Sequence, residues 1–188
     1  MQRTDHPYEF PQNLPMPVDD GACDHLLGMQ LPSVPLRSTA SRMVSLASLT
    51  GKTVVYCYPL TGRPDLELPS DWDEIPGARG CTPQSCAFRD HYQELQALDA
   101  QVFGLSTQST EYQQEAVERL HLPFELLSDA ELALTTALSL PTFKVESMTL
   151  IKRLTLILFE GQIGKVFYPV FSPAENAEDV ITWLSQNR

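Results

Sequence analysis

The chain has 188 residues, of which 43% are hydrophobic and 20% are charged. This length and composition fit one domain with a full hydrophobic core and exclude a largely disordered protein. The formal net charge is −11, whereas nucleic acids and anionic membrane surfaces bind basic proteins. No apolar run reaches the length that crosses a bilayer. We therefore expect no nucleic-acid partner and no membrane partner.

Residues 1–25 are polar and proline-rich without hydrophobic periodicity, so they predict an N-terminal arm, followed by one domain over residues 26–188. The arm lacks the apolar segment of a secretory signal, which favours a cytoplasmic location. Cysteines occur at positions 23, 57, 81 and 86, and in a reducing cytosol they are expected to be thiols. The exposure of Cys23 stays open. No cysteine or histidine spacing is typical of a zinc site, so neither a metal nor a cofactor is expected.

The first predicted core element is a strand over Thr53–Tyr58, a run of β-branched and aromatic residues. Cys57 falls within this strand and is expected to be a small core residue. The following segment, Leu60–Gly80, is rich in proline and glycine and predicts an irregular loop. Long loops are often functional, but a solvated acidic face is an equally open reading. The acidic residues of the loop are Asp65, Glu67, Asp71, Asp73 and Glu74.

Two cysteines follow this loop within the segment Gly80-Cys81-Thr82-Pro83-Gln84-Ser85-Cys86. Pro83 predicts a helix start because proline fits the first helical position, and the amphipathic run Pro83–Leu98 predicts the helix itself. Cys81 would lie at the positive end of the helix dipole, which favours a thiolate. A reactive thiolate with a second thiol nearby is typical of a redox cysteine and its resolving partner. Two buried, inert thiols are the alternative.

The spacing of Cys81 and Cys86 sets a geometric condition. Five helical residues rise about 7.5 Å and turn about 140°, while a disulfide needs Cα atoms closer than about 7 Å. The two thiols therefore cannot join while the helix is intact. If both react, we expect the first turns of the helix to unwind.

The next predicted elements alternate strand and helix. Gln101–Ser106 reads as a strand, and Thr110–Leu120 reads as a helix rich in Glu and Gln. The pattern Ser128-Asp129-Ala130-Glu131 is typical of a capping box. It predicts a helix that runs to about Leu138.

The C-terminal part predicts a hairpin and a final helix. Leu154–Phe159 and Lys165–Phe167 flank the turn Glu160-Gly161-Gln162. Ser172-Pro173-Ala174-Glu175 is a second capping-box pattern, which opens a helix to about Ser185. Strand, helix, strand and helix, then a hairpin and a helix, is a thioredoxin-like α/β order. We therefore predict a central mixed β-sheet flanked by helices.

The segment Pro76–Asp90, with the sequence PGARGCTPQSCAFRD, resembles the active-site segment of peroxiredoxins. The closest type is the Q type, also called the bacterioferritin-comigratory-protein type, which carries Gly-Cys-Thr-x-Gln-x-Cys-x-x-Arg-Asp there. Further matches occur in the family's order along residues 26–188. These are Val44–Lys52, Thr53–Pro59, Val102–Ser106, Leu127–Asp129 and Arg153–Leu158.

This resemblance implies a thiol-dependent peroxidase that reduces hydrogen peroxide and organic hydroperoxides. The Cys81 thiolate would attack the peroxide and become a sulfenic acid, and Cys86 would condense with it to an intramolecular disulfide. Arg153 would lie against the thiolate and hold the peroxide oxygens. Thioredoxin or a similar dithiol would reduce the disulfide. The family includes monomers and dimers, so monomer and homodimer both stay open.

The chain departs from the family pattern in two places. The family carries Thr or Ser three residues before the reactive cysteine and Pro seven residues before it, where this chain has Ala78 and Glu74. The family's Tyr-Pro pair is present at Tyr58-Pro59, but the Leu60–Gly80 segment separates it from Cys81 as an insertion.

Ala78 cannot donate a hydrogen bond to a peroxide oxygen, so another donor is expected. Thr61 follows the Tyr-Pro pair by two residues and is the first candidate for substrate binding. Thr82 and the backbone amides of Gly80 and Cys81 are the alternatives. Thr82 is also expected to cap the helix with its hydroxyl.

Two other functions stay open at this point. A thiol-disulfide oxidoreductase would use related chemistry, but such proteins carry C-x-x-C rather than the wider spacing found here. A non-enzymatic redox sensor could use the same fold, since a fold alone does not define a function. Arg89 and Asp90 match the family segment and are expected to form a helix-side ion pair rather than to act in catalysis.

Overall fold

The computed structural model describes residues 13–187. The strands are β1 Pro35–Ser38, β2 Met43–Ser45, β3 Lys52–Cys57, β4 Ala100–Ser106, β5 Glu125–Ser128, β6 Thr142–Val145, β7 Met148–Ile151, β8 Leu154–Phe159 and β9 Gln162–Phe167. Seven of them form a central mixed β-sheet in the order β2-β1-β5-β4-β3-β8-β9, beside a separate two-stranded hairpin, β6-β7. β3, β4 and β5 run parallel, while β1, β8 and β9 pair antiparallel with their neighbours. The predicted mixed sheet is confirmed.

The helices cover both faces of this sheet and are α1 Cys81–Asp90, α2 Tyr92–Ala97, α3 Thr110–Leu120, α4 Ala133–Ala137 and α5 Asn176–Gln186. Short 3-10 turns occur at Leu46–Ser48, Trp72–Glu74 and Pro173–Glu175. Side chains of α1, α2, α3 and α5 pack into one core, and side chains of α4 pack into the core on the opposite face. We call these the α1 face and the α4 face.

The two-residue period of the strands decides which side chain reaches which face. In β3, Val54 and Tyr56 pack on the α1 face, while Val55 and Cys57 pack on the α4 face. Cys57 is fully buried, so its prediction as a small core residue is confirmed. The alternation also places Cys57 across the sheet from α1.

Two predicted helix starts are wrong in detail. The helix after the loop begins at Cys81 rather than Pro83, and it is interrupted at His91 before α2. The helix expected after Ser128 is shorter and begins at Ala133, because the Ser128 hydroxyl donates to the Gln108 carbonyl instead of capping.

The final helix also differs from the prediction. Ser172 and Pro173 lead into a 3-10 turn, Ser172 makes no side-chain cap, and α5 then begins at Asn176. The other predicted elements agree closely with the structure, whereas the strands β1, β2, β5, β6 and β7 were not predicted. The helix Thr110–Leu120 is confirmed at the predicted residues, and β8 and β9 form the predicted hairpin.

The Leu60–Gly80 loop is more ordered than its composition suggests. Trp72 is 2% exposed and packs with Leu60 and Ala78 from the same loop against Val145 and Leu150 of the β6-β7 hairpin. Asp73 forms an ion pair with Arg79 at 2.9 Å. The prediction of an irregular loop with a solvated acidic tip therefore holds for only part of the segment.

Residues 1–12 of the predicted arm lie outside the described residues, and the arm's boundary at residue 25 stays a prediction. Within the described part, Cys23 is buried against the α4-face core. Asp20 accepts hydrogen bonds from Lys152 at 2.9 Å and from the Tyr168 hydroxyl at 2.8 Å. Between residues 13 and 187, no helix is long and apolar enough to cross a membrane.

Candidate active site

Cys81 is the first residue of α1, at the end of the inserted loop. Gly80 precedes it at φ 110°, a backbone conformation that residues other than glycine rarely adopt. The first turn is intact, since the Gln84 amide donates to the Gly80 carbonyl at 3.0 Å. Because Gly80 is the N-cap and no side chain caps the helix, the predicted capping role of Thr82 is wrong. Cys81 therefore lies where the helix dipole is positive.

Arg153 lies directly against the Cys81 sulfur. Its Nη2 atom is 3.2 Å from Sγ, and its side chain is almost fully buried just before β8 begins. The guanidinium is a permanent cation. The structure thus places Arg153 in contact with Cys81, and its role in catalysis stays a prediction.

The end of the inserted loop holds this guanidinium in place. Arg153 Nη2 also lies 3.3, 3.1 and 3.2 Å from the carbonyl oxygens of Gly77, Ala78 and Arg79, which share its two N–H donors with the sulfur. The Cys81 Sγ lies 3.7 Å from the Ala78 carbonyl. Three consecutive carbonyls just before Cys81 thus hold the cation against the sulfur.

A buried chain of amides continues from the guanidinium. Arg153 Nη1 donates a hydrogen bond to Gln84 Oε1, and Gln84 Nε2 donates to Asn176 Oδ1 at 3.0 Å. The Thr155 hydroxyl donates to the same Asn176 oxygen at 2.7 Å. This chain of hydrogen bonds joins α1, β8 and α5.

Aromatic side chains also support α1. Tyr56 stacks on Phe88 with ring centroids 4.6 Å apart, and its hydroxyl donates to the Ser85 hydroxyl at 3.1 Å. Burial raises the pKa of Tyr56, so the phenol stays protonated and keeps this hydrogen bond. Gly104 leaves room for the ring, because a Cβ there would lie 2.8 Å from the Tyr56 ring. Together these contacts fix the helix on β3.

Cys86 lies on the same helix but faces a different environment. It is half-buried and lines a surface depression together with Pro83, Ala87, Asp90 and His91. Burial raises the pKa of the Cys86 thiol, and nearby Asp90 adds to the effect. Because α1 is continuous from Cys81 to Asp90, the two thiols are held at helical spacing, beyond the reach of a disulfide.

The three predicted substrate-binding residues differ in their neighbours and in their hydrogen-bond partners. Thr82 and Gly80 adjoin Cys81 in the first turn and are buried. Thr61 is also buried, but both its hydroxyl and its backbone amide donate to Gln108 Oε1, at 3.2 and 3.1 Å. The structure brings Cys81 and Arg153 together, and it gives Thr61 a partner of its own.

Arg89 and Asp90 form the predicted ion pair at 2.8 Å, and Arg89 also donates to the Leu120 carbonyl.

Sequence reasoning missed the roles of Gln84, Asn176 and Gly104. Gln84 is part of the family segment and could have been paired with Arg153 on that basis. Asn176 carries no local signal, because its partners are distant in the chain.

Comparison with known proteins agrees with this geometry. The Redoxin family model matches residues 26–181. The chain is 39% identical to the chloroplastic peroxiredoxin Q of Sedum lineare over 103 residues, which cover 54% of this chain and 47% of the relative. It is 29% identical to peroxiredoxin bcp1 of Schizosaccharomyces pombe over 127 residues, covering 65% and 57%. The chain thus spans about half the length of these curated relatives.

Solved structures share the fold. Peroxidoxin BcpB from Mycobacterium tuberculosis has a TM-score of 0.70 at 22% identity, covering 86% of this chain and 97% of the other. Xanthomonas campestris peroxiredoxin Q has a TM-score of 0.65 at 24% identity, covering 84% and 96%. The predicted thioredoxin-like fold and the resemblance to Q-type peroxiredoxins are both confirmed. The chain belongs to the Redoxin family.

Proposed function

We propose that this protein is a thiol-dependent peroxidase that reduces hydrogen peroxide and organic hydroperoxides with Cys81 as the nucleophile. The observation that carries the proposal is the 3.2 Å contact between the Arg153 guanidinium and the Cys81 sulfur at the start of α1. A cation and a helix N-terminus at one thiol are the two features that favour a nucleophilic thiolate. The similarity to named peroxiredoxins supports the same assignment.

In the first step, the Cys81 thiolate attacks the distal oxygen of a hydroperoxide. The O–O bond breaks, an S–O bond forms, and the leaving alkoxide or hydroxide takes up a proton to become an alcohol or water. Negative charge spreads over sulfur and both oxygens in this transition state. The guanidinium is placed to stabilise that charge, because it is already fixed by the loop carbonyls and does not have to reorganise.

In the second step, the Cys86 thiol attacks the Cys81 sulfenic acid. An S–S bond forms and water leaves. The helical spacing of the two thiols requires α1 to unwind before this bond can close. An external dithiol, for which thioredoxin is the candidate, then reduces the disulfide and returns both thiols.

Thr61 is proposed as the hydroxyl donor to the peroxide. In the described state its hydroxyl donates to Gln108, so it would have to turn toward the substrate. Thr61→Val keeps the shape and removes the donor. We expect the rate of Cys81 oxidation to drop about tenfold or more. A rate within about twofold of the parent would exclude Thr61 as the donor to the peroxide. The remaining candidate donors would then be Thr82 and the backbone amides of Gly80 and Cys81.

The substrate class is proposed partly by analogy. The bacterioferritin comigratory protein of X. campestris, which shares the fold at 24% identity, is described by its alkyl peroxide reduction activity. A reducing compartment such as the cytoplasm suits four free cysteines. Monomer and homodimer are both compatible with this proposal.

The test is mass analysis of the reduced protein before and after one equivalent of peroxide, with peptide mapping. We expect the loss of two hydrogens in the single peptide that contains both Cys81 and Cys86. Steady turnover with a thioredoxin system would separate an enzyme from a sensor. Disulfide transfer without any reaction with peroxide would instead assign the chain as a thiol-disulfide oxidoreductase.

A further inference from the structure

Gln84 lies between the two reactive cysteines and has hydrogen-bond partners on two other elements. The side chains of Gln84, Arg153, Thr155 and Asn176 are 0, 3, 0 and 1% exposed. No solvent therefore competes with the hydrogen bonds among them. The chain runs from Arg153 through Gln84 to Asn176, and Thr155 joins it at Asn176.

The orientation of each amide in this chain follows from its neighbours. A guanidinium carries only donors, so the Gln84 oxygen must face Arg153. The Gln84 amide nitrogen must then face Asn176, which can accept only through Oδ1. The Thr155 hydroxyl also donates to Oδ1, so both lone pairs of that oxygen are in use. Asn176 thus fixes the position of Gln84 relative to Arg153.

Unwinding of α1 must break this arrangement. Gln84 lies within the segment between Cys81 and Cys86, so its side chain cannot stay on Asn176 while the first turns open. Leaving a buried polar group without a partner is unfavourable. The hydrogen bond from Gln84 to Asn176 therefore stabilises the wound form of α1 over the unwound form, in which water can solvate the amide.

We propose that Asn176 is a positioning residue that controls how fast the oxidised site closes its disulfide. Asn176 holds α1 wound while Cys81 reacts with peroxide, and release of Gln84 from Asn176 accompanies closure by Cys86. The inference rests on the proposed peroxidase function and adds a regulatory element on α5. It explains why a side chain remote from the cysteines in sequence is buried against the active-site network.

The test compares rates of sulfenic acid formation and disulfide closure by rapid quench and mass analysis after one equivalent of hydrogen peroxide. Asn176→Leu is close in size but lacks the acceptor. We expect its closure step to be about tenfold faster than in the parent, because the wound form loses a buried hydrogen bond. Amide exchange in residues 81–87 of the reduced variant should rise as well.

Asn176→Asp is the conservative control, because it keeps an oxygen for Gln84 and Thr155, and a carboxylate is favoured in the first turn of α5. Its closure rate should stay within about twofold of the parent.

Thr155→Val is a milder variant that removes one hydrogen-bond donor to Asn176, and we expect disulfide closure about threefold faster than in the parent. Thr155→Val also replaces Asn176→Leu as the test if the leucine variant does not fold, since valine suits a buried strand position.

Thr135→Val separates this role from a general loss of stability. The Thr135 hydroxyl donates to Asp129 at 2.6 Å in a buried site on the α4 face, so this variant loses a comparable bond far from α1. Its closure rate should equal that of the parent. Equal acceleration in Thr135→Val and Thr155→Val would overturn the inference.

The outcomes distinguish the inference from the function on which it rests. A parent protein in which peroxide does not oxidise Cys81 would overturn the proposed function and the inference together. A parent that oxidises normally, with closure unchanged in both Asn176→Leu and Thr155→Val, would overturn the inference alone.

Discussion

The two faces of the sheet each hold two cysteines, yet their surroundings differ in charge. Cys81 and Cys86 belong to the α1 face, while Cys23 and Cys57 pack on the α4 face. Exposure does not separate the pairs, since Cys81 is 3% exposed and Cys23 is 5% exposed. The difference lies in what surrounds the sulfur. Cys81 has a guanidinium at 3.2 Å and a helix N-terminus.

The α4 face has the opposite character. Burial raises the pKa of Cys57, and the nearby Asp129 carboxylate adds to the effect. Burial raises the pKa of Cys23 to about 12, with further contributions from Asp20 and Asp19. A thiol surrounded by apolar atoms and carboxylates stays protonated and unreactive. The comparison thus sets two buried thiols with raised pKa values near carboxylates against Cys81, which is buried in contact with a fixed cation.

The sharpest test of this comparison replaces one cysteine on each face. We expect Cys81→Ser to abolish peroxide consumption, because a serine hydroxyl is not ionised at neutral pH and cannot act as the nucleophile. Cys57→Ala should keep the peroxidase rate and lower the free energy of unfolding by on the order of 1 kcal/mol. Peroxide consumption by each purified variant is the measurement. Retained activity in Cys81→Ser would falsify the assignment of the nucleophile.

The next test removes the cation. Arg153→Ala should slow Cys81 oxidation by about hundredfold, because the transition state loses its fixed positive charge. Arg153→Lys should recover only part of the rate, since an ammonium lacks the planar fork that reaches both the sulfur and Gln84. Stopped-flow oxidation of the reduced protein gives these rates.

Lys152→Ala is the matched control for Arg153→Ala. Lys152 is the adjacent cation, but it pairs with Asp20 on the surface. We expect its oxidation rate to equal that of the parent. If both variants slowed equally, the general charge of the region would matter rather than the contact of Arg153 with sulfur.

Oxidation itself should affect the two faces differently. Formation of the Cys81–Cys86 disulfide is expected to raise hydrogen exchange in residues 81–87, because the helix must unwind. Exchange in α4 should not change, since no reacting group lies there. Cys86→Ser should stop at the Cys81 sulfenic acid and then overoxidise. Unchanged exchange in a fully oxidised sample would contradict the unwinding.

The sequence predicted those features that depend on short-range patterns. The β8-β9 hairpin and the helix Thr110–Leu120 follow from local periodicity and turn residues. The contact of Arg153 with Cys81 followed from the resemblance in residue order. In each case the signal lies within a few residues or within a family pattern.

The features that were missed depend on contacts distant in sequence. Ser128 was expected to cap a helix, but its hydroxyl donates to the Gln108 carbonyl at 2.6 Å. Asp129 instead accepts hydrogen bonds from the Leu134 and Thr135 amides. Trp72 orders the inserted loop by packing on a hairpin more than seventy residues away along the chain. Such choices are decided by tertiary packing, which local propensity does not contain.

The smallest expected effect is a pH dependence on the α4 face. The folded-state pKa of Cys23 is about 12, above the ordinary value of 9.0, so the folded protein holds this proton more tightly than the unfolded chain. The stabilisation is therefore fully present below pH 9 and is lost as the pH rises toward 12. Cys23→Ala removes the group. The difference in unfolding free energy between parent and variant, measured by urea unfolding, should shrink above pH 9, by at most about 1.4 kcal/mol per pH unit. A difference that stays constant to about pH 10.5 would show that the Cys23 thiol ionises alike in both states, and that the α4 face does not suppress its thiolate.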